Sequence, residues 1–317
     1  MKVHAGSRSS TTTARRDHVH TDVAIIGGGP AGLQAALTLG RIHRDAVLFD
    51  DGTYRNATVS HMHNVVAHDG TPPEEFRAHA RKQLAAYDTV TVREERVDTI
   101  EEVGGIFHLR VADGSTVTAY ALILATGVRD GLPPVPGLDE LWGDFVAHCP
   151  FCHGHELGGQ RVGILGAAVA PHLSALLGPI ASELVVLADG EDLPDEWHPG
   201  PVVRTERVVS VERHGDGVRV TLEGADGEQV HEQVAGLFVK PALRQSTAFA
   251  EQLGLELNPS GCVRVDEFGR SSRERVFCAG DMAHLAAYPM PMASVVMASA
   301  AGQLAASAAT MALLARP

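Results

Sequence analysis

The chain has 317 residues, which is long enough for two compact domains of roughly 100–200 residues each. Apolar residues make up 44% and charged residues 21%, as is usual for a folded globular protein. The net charge of −13 argues against a nucleic acid or an acidic membrane surface as partner. With only 4 cysteines the chain has no disulfide framework, so we predict a reducing, cytoplasmic location.

The opening segment has the composition of a tail. It is rich in Ser, Thr and Arg, and it shows no hydrophobic periodicity. Arg15-Arg16 is not followed by the apolar stretch that an export signal requires. We therefore predict a disordered tail over residues 1–20. We predict that every apolar run is well short of the roughly 20 residues that a membrane helix needs, so no membrane partner is expected.

A glycine-rich turn between a strand and a helix is the first strong motif. The strand covers 22–26, the helix covers 33–42, and a second strand covers 46–49. Such a turn lets the backbone approach a pyrophosphate, which rests at the helix N-terminus. The second strand ends at Asp50, the predicted ribose acceptor, with Asp51 as the alternative. The turn itself consists of Gly27, Gly28, Gly29, Pro30, Ala31 and Gly32.

Further along, strand and turn signals predict an α/β fold with two Rossmann-like units, the second inserted into the first. A second strand-turn-helix begins at Arg161, and the apolar stretch 234–239 is predicted to return the chain to the first domain. A strand over 276–279 then leads into Gly280-Asp281, and an Ala-rich helix covers 292–314. The predicted domains are 21–133 together with 239–317, and the inserted domain 134–238.

Two cysteines, Cys149 and Cys152, form a CxxC motif that is followed at once by His153. Such a motif can lower a thiol pKa from about 8.5 toward roughly 7 and so favour a reactive thiolate. The pair could instead be structural; a zinc site is not predicted, because no second CxxC or His pair stands at ligand spacing. A dithiol downstream of a dinucleotide motif indicates a flavin-dependent thiol–disulfide oxidoreductase, and no metal is predicted.

Taken in order, these motifs resemble the low-molecular-weight thioredoxin reductase family over nearly all of residues 22–314. The matching features are GGGPAG, the Ala-Thr-Gly at 125–127, the CxxC-x-Gly at 149–154 and the Ala-Gly-Asp at 279–281. The resemblance implies FAD as cofactor, an FAD-binding domain interrupted by an inserted CxxC-bearing domain, and a homodimer. The predicted cofactor-binding set is Gly27, Gly28, Gly29, Pro30, Ala31, Gly32, Asp50, Arg55, Asn56, His63, Val97, Ala125, Gly280, Asp281 and Ser294.

The same resemblance implies roles for the catalytic residues. Cys152 faces the flavin, and Cys149 is the outer sulfur that exchanges with substrate through a mixed disulfide. His153 stands where the family has an aspartic acid as proton donor. An imidazole with a pKa near 6.5 can accept and return protons at neutral pH, so His153 is predicted to be the general base. The alternative is a solvated loop histidine.

Two further departures from the family concern the inserted domain. Its nucleotide turn reads Gly166-Ala167-Ala168, so a Cβ stands where a phosphate must approach the backbone closely. The arginines that clasp the NADP 2′-phosphate are missing, because Leu187 is followed by Ala-Asp-Gly-Glu-Asp at 188–192. The NADPH site is therefore predicted to be degenerate.

This combination resembles the microbial natural-product dithiol oxidases, which close the disulfides of compounds such as gliotoxin and holomycin. The predicted function is an FAD-dependent dithiol oxidase that acts on a small-molecule dithiol and reduces molecular oxygen to hydrogen peroxide. One alternative is a thioredoxin or disulfide reductase fed by NADPH or ferredoxin. The other is a non-catalytic flavoprotein that acts as a redox sensor or scaffold.

Overall fold

A computed structural model describes residues 19–195, 197 and 200–316. Most of the predicted tail lies outside the described residues. Its last two positions, 19 and 20, already belong to the first strand, which is therefore longer than the predicted 22–26.

The chain forms its elements in three stretches. The stretch before the insertion contains β1 (Val19–Ile26), α1 (Pro30–Arg41), β2 (Ala46–Phe49), α2 (Pro73–Leu84), β3 (Val90–Arg93), β4 (Val97–Val103), β5 (Ile106–Val111) and β6 (Thr116–Leu124). The middle stretch contains β7 (Val128–Gly131), α3 (Leu138–Leu141), β8 (Val146–Ala147), α4 (Pro150–His153), β9 (Arg161–Leu165), α5 (Ala170–Leu177), β10 (Glu183–Leu187), β11 (Val202–Arg204), β12 (Arg207–His214), β13 (Gly217–Glu223), β14 (Gln229–Val234) and β15 (Gly236–Val239). The last stretch contains β16 (Ala242–Gln245), α6 (Phe249–Gln252), β17 (Val263–Val265), β18 (Val276–Cys278), β19 (Ala283–Leu285) and α7 (Val295–Leu314).

The first sheet has the order β3-β2-β1-β6, with β18 paired to the second half of β6, and all of these pairings are parallel. The first half of β6 pairs antiparallel with β5, which pairs in turn with β4. The central strand β1 is apolar and fully buried at Val23, Ala24 and Ile25, as expected for a parallel strand covered on both faces. The carboxyl ends of these parallel strands therefore meet at one edge of the sheet, where ligands bind in such folds.

The second sheet is parallel and has the order β11-β10-β9-β15-β8, and an antiparallel sheet of β12, β13 and β14 accompanies it. The two sheets confirm the predicted α/β fold with two Rossmann-like units. Two short strands, β7 and β16, pair antiparallel and carry the chain out of the first unit and back into it.

The point at which the chain returns differs from the prediction. The apolar stretch 234–239 was expected to re-enter the first domain, but Gly236–Val239 forms β15 between β9 and β8 of the second sheet. A fully buried four-residue strand has the same composition in either sheet, so the sequence could not tell which sheet it joins. The return is made by β16, so the predicted boundary at 238 cuts through a strand of the second sheet.

Helix α7 corrects the expectation about apolar runs. It contains no charged residue over its 20 residues, and by length and composition it could cross a membrane. It packs against α1, and the contact is close enough that a Cβ at Gly302 would lie 2.0 Å from the carbonyl oxygen of Ala31. The helix is rich in Ala and Ser, small residues that suit close helix packing, and one third of its most apolar window is buried.

Candidate active site

A cavity of about 420 Å³ follows the carboxyl edge of the first sheet and reaches the CxxC segment of the second unit. Cys152 and His153 both line it. The predicted cofactor-binding residues that line it are Gly27, Gly28, Gly29, Pro30, Ala31, Arg55, Asn56, His63, Val97, Ala125, Gly280, Asp281 and Ser294. The cavity therefore brings the dinucleotide motif and the dithiol motif to one place.

The backbone of the glycine-rich turn over residues 27–29, called the glycine cradle below, is packed too closely at Gly27 and Gly28 for a side chain to fit. A Cβ at Gly28 would lie 1.8 Å from Oδ2 of Asp50, and one at Gly27 would lie 2.2 Å from the carbonyl oxygen of Ala125. Helix α1 begins at Pro30 without a side-chain cap, so backbone N–H groups of its first turn remain available to an anion. These features fit the pyrophosphate of a dinucleotide.

Gly32 has a different role from the other glycines, because it does not line the cavity. A Cβ at Gly32 would lie 1.8 Å from the carbonyl oxygen of Gly27. Its place in the motif is therefore explained by close packing of the turn on the helix, and its part in the predicted cofactor site is to shape the turn.

Replacing Gly29 by alanine is expected to weaken flavin binding at least tenfold with little change in folding stability. Gly29 has a φ of −76°, which alanine tolerates, and its Cβ would meet no protein atom within 4 Å. The new methyl group would stand in the cradle where backbone and phosphate must approach closely. Flavin titration of the apoprotein and its thermal unfolding check this. The control is Gly28→Ala, which is expected to lose stability as well, because its Cβ meets Asp50.

The acidic residue predicted to bind the ribose is buried and bound to other groups of the protein. Asp50 is 2% exposed and does not line the cavity. Its carboxylate accepts hydrogen bonds from Tyr54 Oη at 2.7 Å and from the Gly52 N–H at 3.0 Å, and it forms an ion pair with Arg81. Asp51, the alternative, lines the cavity instead. Sequence spacing could not separate two adjacent aspartates, one of which turns inward beneath Gly28.

Arg55 joins three segments inside the cavity. Its guanidinium donates to both carboxylate oxygens of Asp130, at 2.6 and 2.8 Å, and to Oδ2 of Asp281 at 2.8 Å. Burial disfavours its charge, but the two carboxylates hold the pKa of Arg55 above its ordinary value. Asp130 lies on β7 and Asp281 follows β18, so Arg55 ties the loop after β2 to both. Asp130 is a cavity residue that the sequence analysis missed, although it closely follows the Ala-Thr-Gly motif.

The remaining predicted cofactor contacts also line the cavity, but two of their side chains bind protein groups. Asn56 Oδ1 accepts a hydrogen bond from Arg77 at 3.0 Å. Ser294 is the N-cap of α7, and its hydroxyl accepts the Met297 N–H at 3.1 Å. Val97 opens β4 and is buried. Met62 also lines the cavity, whereas Met290, Met292 and Met297 near the end of the chain do not.

A disulfide joins Cys149 and Cys152, with 5.3 Å between their Cα atoms. Pro150 begins the short helix α4, so Cys149 is its N-cap residue and Cys152 lies within it. Only Cys152 lines the cavity, and Phe151 between the two cysteines is 68% exposed. The other two cysteines, Cys262 and Cys278, are buried free thiols whose pKa values are raised by burial.

His153 is placed to act as a base. It lines the cavity, and its Nδ1 atom is buried without a hydrogen-bond partner among the described residues. Burial lowers the pKa of His153, and the nearby charge of Glu156 partly opposes that effect. The imidazole is therefore neutral near pH 7 and has a free nitrogen to take a proton.

The sequence analysis also missed His148, which precedes Cys149 and lines the cavity. Its ring stacks on Trp142 with 5.7 Å between centroids, and its Nε2 lies 3.5 Å from Arg55. Burial and the charge of Arg55 lower the pKa of His148 to about 4. Its position next to the first cysteine was the available signal, but a lone histidine is too common to be singled out on that basis.

The protein is expected to lose stability in acid partly through His148. Its pKa falls from an ordinary 6.5 to about 4 in the fold, so the unfolded chain binds more protons between these values. The stability is fully present above pH 6.5 and is lost as the pH falls toward 4. We expect a loss of roughly 2 kcal/mol between pH 7 and pH 4.5, and a smaller loss in His148→Gln. Urea unfolding at both pH values checks this, with the exposed His172→Gln as control. Equal losses in wild type and His148→Gln would contradict it.

The second nucleotide turn differs from the first. Gly166 follows β9 with a φ of +108°, but a single 3-10 turn over Ala167–Val169 separates it from α5. Ala168 is exposed in that turn. After β10, the carboxylate of Asp189 accepts a hydrogen bond from the N–H of Val208 at 2.7 Å. An acidic residue is therefore held where the family has arginines that bind the 2′-phosphate of NADP.

The chain belongs to the pyridine nucleotide-disulphide oxidoreductase family, whose profile matches residues 21–193 and 201–305. It is an enzyme of the thioredoxin reductase-like class, a flavoprotein thiol–disulfide oxidoreductase with a redox-active disulfide. The predicted family resemblance is thus confirmed.

Two curated relatives are thioredoxin reductases of fungi. Thioredoxin reductase tcpT of Claviceps purpurea is 34% identical over 82% of this chain and 86% of its own. Thioredoxin reductase aclD of Aspergillus oryzae is 36% identical over 82% of this chain and 88% of its own. Among solved structures, an oxidoreductase from Agrobacterium tumefaciens is 35% identical with a TM-score of 0.84, covering 94% of this chain and 100% of its own. HlmI is 30% identical with a TM-score of 0.82, covering 93% of each chain.

Proposed function

We propose that this enzyme is an FAD-dependent dithiol oxidase that forms a disulfide in a small-molecule dithiol of natural-product type. The observation that carries the oxidase direction is the second nucleotide turn, where Ala168 replaces a glycine and Asp189 stands in place of a basic clasp. An NADPH-dependent reductase needs electrons from a reduced nucleotide, and this turn is poorly shaped to bind one. The disulfide beside the cavity still supports exchange with a thiol substrate.

The chain's own residues account for the thiol chemistry. His153 accepts the proton of one substrate thiol at a ring nitrogen, and the resulting thiolate attacks Sγ of Cys149. The bond between Cys149 and Cys152 breaks, a mixed disulfide forms on Cys149, and Cys152 is left as a thiolate. The second substrate thiol, once deprotonated, attacks the substrate sulfur of the mixed disulfide. The cyclic disulfide product leaves, and both cysteines are reduced.

The reduced pair then holds two electrons beside the cavity, because Cys152 lines it. A bound FAD would supply the two-electron chemistry that links the dithiol to molecular oxygen, with hydrogen peroxide as the product. The residues that would hold it are the glycine cradle, Asp51, Val97, Asp281 and the N-terminus of α7, all of which line the cavity. Arg55 keeps Asp281 in place there.

Further parts of the proposal rest on the family resemblance alone. They are a homodimer and a place in the biosynthesis of an antibiotic-like metabolite. A cytoplasmic location is proposed from the small number of cysteines. The alternative function is a disulfide reductase that uses NADPH or ferredoxin. Two curated relatives are named thioredoxin reductases, so the experiment must also test that alternative.

Dithiothreitol is expected to bleach the flavin absorbance of the purified enzyme without oxygen, and NADPH is expected to leave it unchanged. Admission of air should then restore the absorbance and produce one peroxide per dithiol oxidised. A matched variant, Ala168→Gly, tests whether the turn alone excludes the nucleotide. Rapid bleaching of the wild-type enzyme by NADPH would overturn the oxidase direction and favour the reductase.

A further inference from the structure

His63 lies between two carboxylates that come from distant parts of the chain. Its Nδ1 is 3.5 Å from Oδ2 of Asp69, and its Nε2 is 3.6 Å from Oε1 of Glu156. Asp69 belongs to the same loop as His63, whereas Glu156 lies in the 3-10 turn that follows the CxxC helix. The imidazole therefore bridges the loop of the first unit and the redox segment of the second.

The loop presents His63 in a defined position. A backbone bridge pairs Met62 with Thr71 at its base, and Oδ1 of Asp69 accepts the N–H of Asn64 at 2.7 Å. Asn64 has a φ of +61°, which turns the chain sharply just after His63. Asp69 therefore organises the loop as well as contacting the ring, while Glu156 contacts the ring from the other side.

Glu156 also lies near the predicted base in the chain. It stands three residues after His153 on consecutive helical turns, α4 and the 3-10 turn over His155–Leu157, and such positions are neighbours on a helix surface. His153 is half-buried and has no hydrogen-bond partner on Nδ1 among the described residues. Burial lowers the pKa of His153 most, the charge of Glu156 raises it, and that of His63 lowers it. One carboxylate thus lies near two imidazoles that both line the cavity.

We propose that Glu156 is a positioning residue, a shared counter-ion that supports the proton on His153 and holds His63 beside it. This inference rests on the proposed function in one respect, namely that His153 is the base that receives a thiol proton. When His153 takes that proton, the carboxylate of Glu156 compensates its charge. His63 is a quarter exposed and in contact with Glu156, so it offers the proton a route to solvent.

Other titratable groups near His153 do not replace Glu156. His148 lowers the proton affinity of its neighbours only when charged, and its own pKa of about 4 keeps it neutral at working pH. His155, on the same turn as Glu156, is exposed. From α5, which packs against α4, the titratable residue is His172, and it is also exposed. Of the neighbouring charges that act on the pKa of His153, the one from a carboxylate is that of Glu156.

The test follows the imidazole signals of His153 and His63 by NMR in the flavin-loaded enzyme. Glu156→Gln is expected to lower the pKa of His153 by about half a unit, a roughly threefold loss of proton affinity, because an attractive charge is removed. His63→Gln is expected to raise it, because a like charge is removed. Both shifts should shrink in 1 M salt, since Glu156 is partly exposed. Glu140→Gln, an exposed acid on α3, is the control.

The same variants are then compared in the anaerobic reduction of the flavin by dithiothreitol. In Glu156→Gln the acid limb of the rate profile should move to lower pH by the shift seen in NMR, and the plateau rate should fall. A purely structural role would lower the plateau without moving the limb. An unchanged titration of His153 in Glu156→Gln would overturn the inference. A shifted titration in an enzyme that no dithiol reduces would instead count against the proposed function.

Discussion

Replacement of Cys152 by serine is expected to abolish the reduction of the flavin by dithiols, with a loss of at least about 10³-fold. Cys152 is the cysteine of the pair that lines the cavity, so under the proposed function its removal would separate the dithiol chemistry from the cofactor. Cys149→Ser is expected to cause a loss of the same size for a different reason, because the sulfur that receives the substrate is gone. Stopped-flow absorbance under nitrogen measures both variants.

The matched control for these variants is Cys262→Ser. Cys262 is a buried free thiol whose Sγ lies 3.6 Å from the carbonyl oxygen of Asp281, and a hydroxyl can make the same contact. This variant should keep the rate within a few-fold of wild type and retain its flavin. If Cys149→Ser reduced the flavin as fast as the wild-type enzyme, the disulfide would not be the route of the electrons, and direct attack on the flavin would replace it.

Replacement of Gly302 by valine is expected to lower the free energy of unfolding by about 3 kcal/mol and to weaken flavin binding. Even the first carbon of a side chain there would lie 2.0 Å from the carbonyl oxygen of Ala31, so α7 and α1 would have to separate. Ala31 also lines the cavity, which transmits the displacement to the cofactor site. Urea unfolding and flavin titration measure the two effects.

Ser307→Val separates overpacking from helix propensity. Ser307 lies on the same helix but is exposed, so a β-branched residue there should cost less than about 1 kcal/mol. The interpretation of the α1–α7 contact would be wrong if Gly302→Val were as stable as Ser307→Val. It would also be wrong if Gly302→Val unfolded more easily yet bound flavin normally after correction for the folded fraction.

The motifs with the tightest physical constraints were the ones that the sequence predicted well. The glycine turn must lack side chains, so its strand, its helix and most of its cavity contacts follow from composition. The Ala-Gly-Asp near the end of the chain likewise lies on the cavity, as the family resemblance implied. These features depend on neighbours in the sequence, which a pattern can show.

Contacts between distant segments were beyond the sequence. The ion pairs of Arg55 with Asp130 and Asp281 join positions 75 and 226 residues apart, and nothing local marks either partner. Asp50 was chosen over Asp51 by spacing, yet Arg81 and Tyr54 hold it inside. Glu156 was given no role, because its meeting with His63 depends on how the two units pack together. Side-chain orientation is decided by such tertiary partners.

The placement of the two cysteines has a consequence for which molecules the enzyme can serve. Cys152 lines the cavity and Cys149 does not, while Phe151 between them is exposed. Under the proposed function, reducing equivalents would therefore enter the cavity through Cys152, while most of the substrate could stay outside it. Bulky, rigid or macrocyclic thiols need only bring one sulfur to the outer cysteine. The surface around Phe151 would then decide which substrates the enzyme accepts. The volume of the cavity would set no upper limit on the size of the substrate.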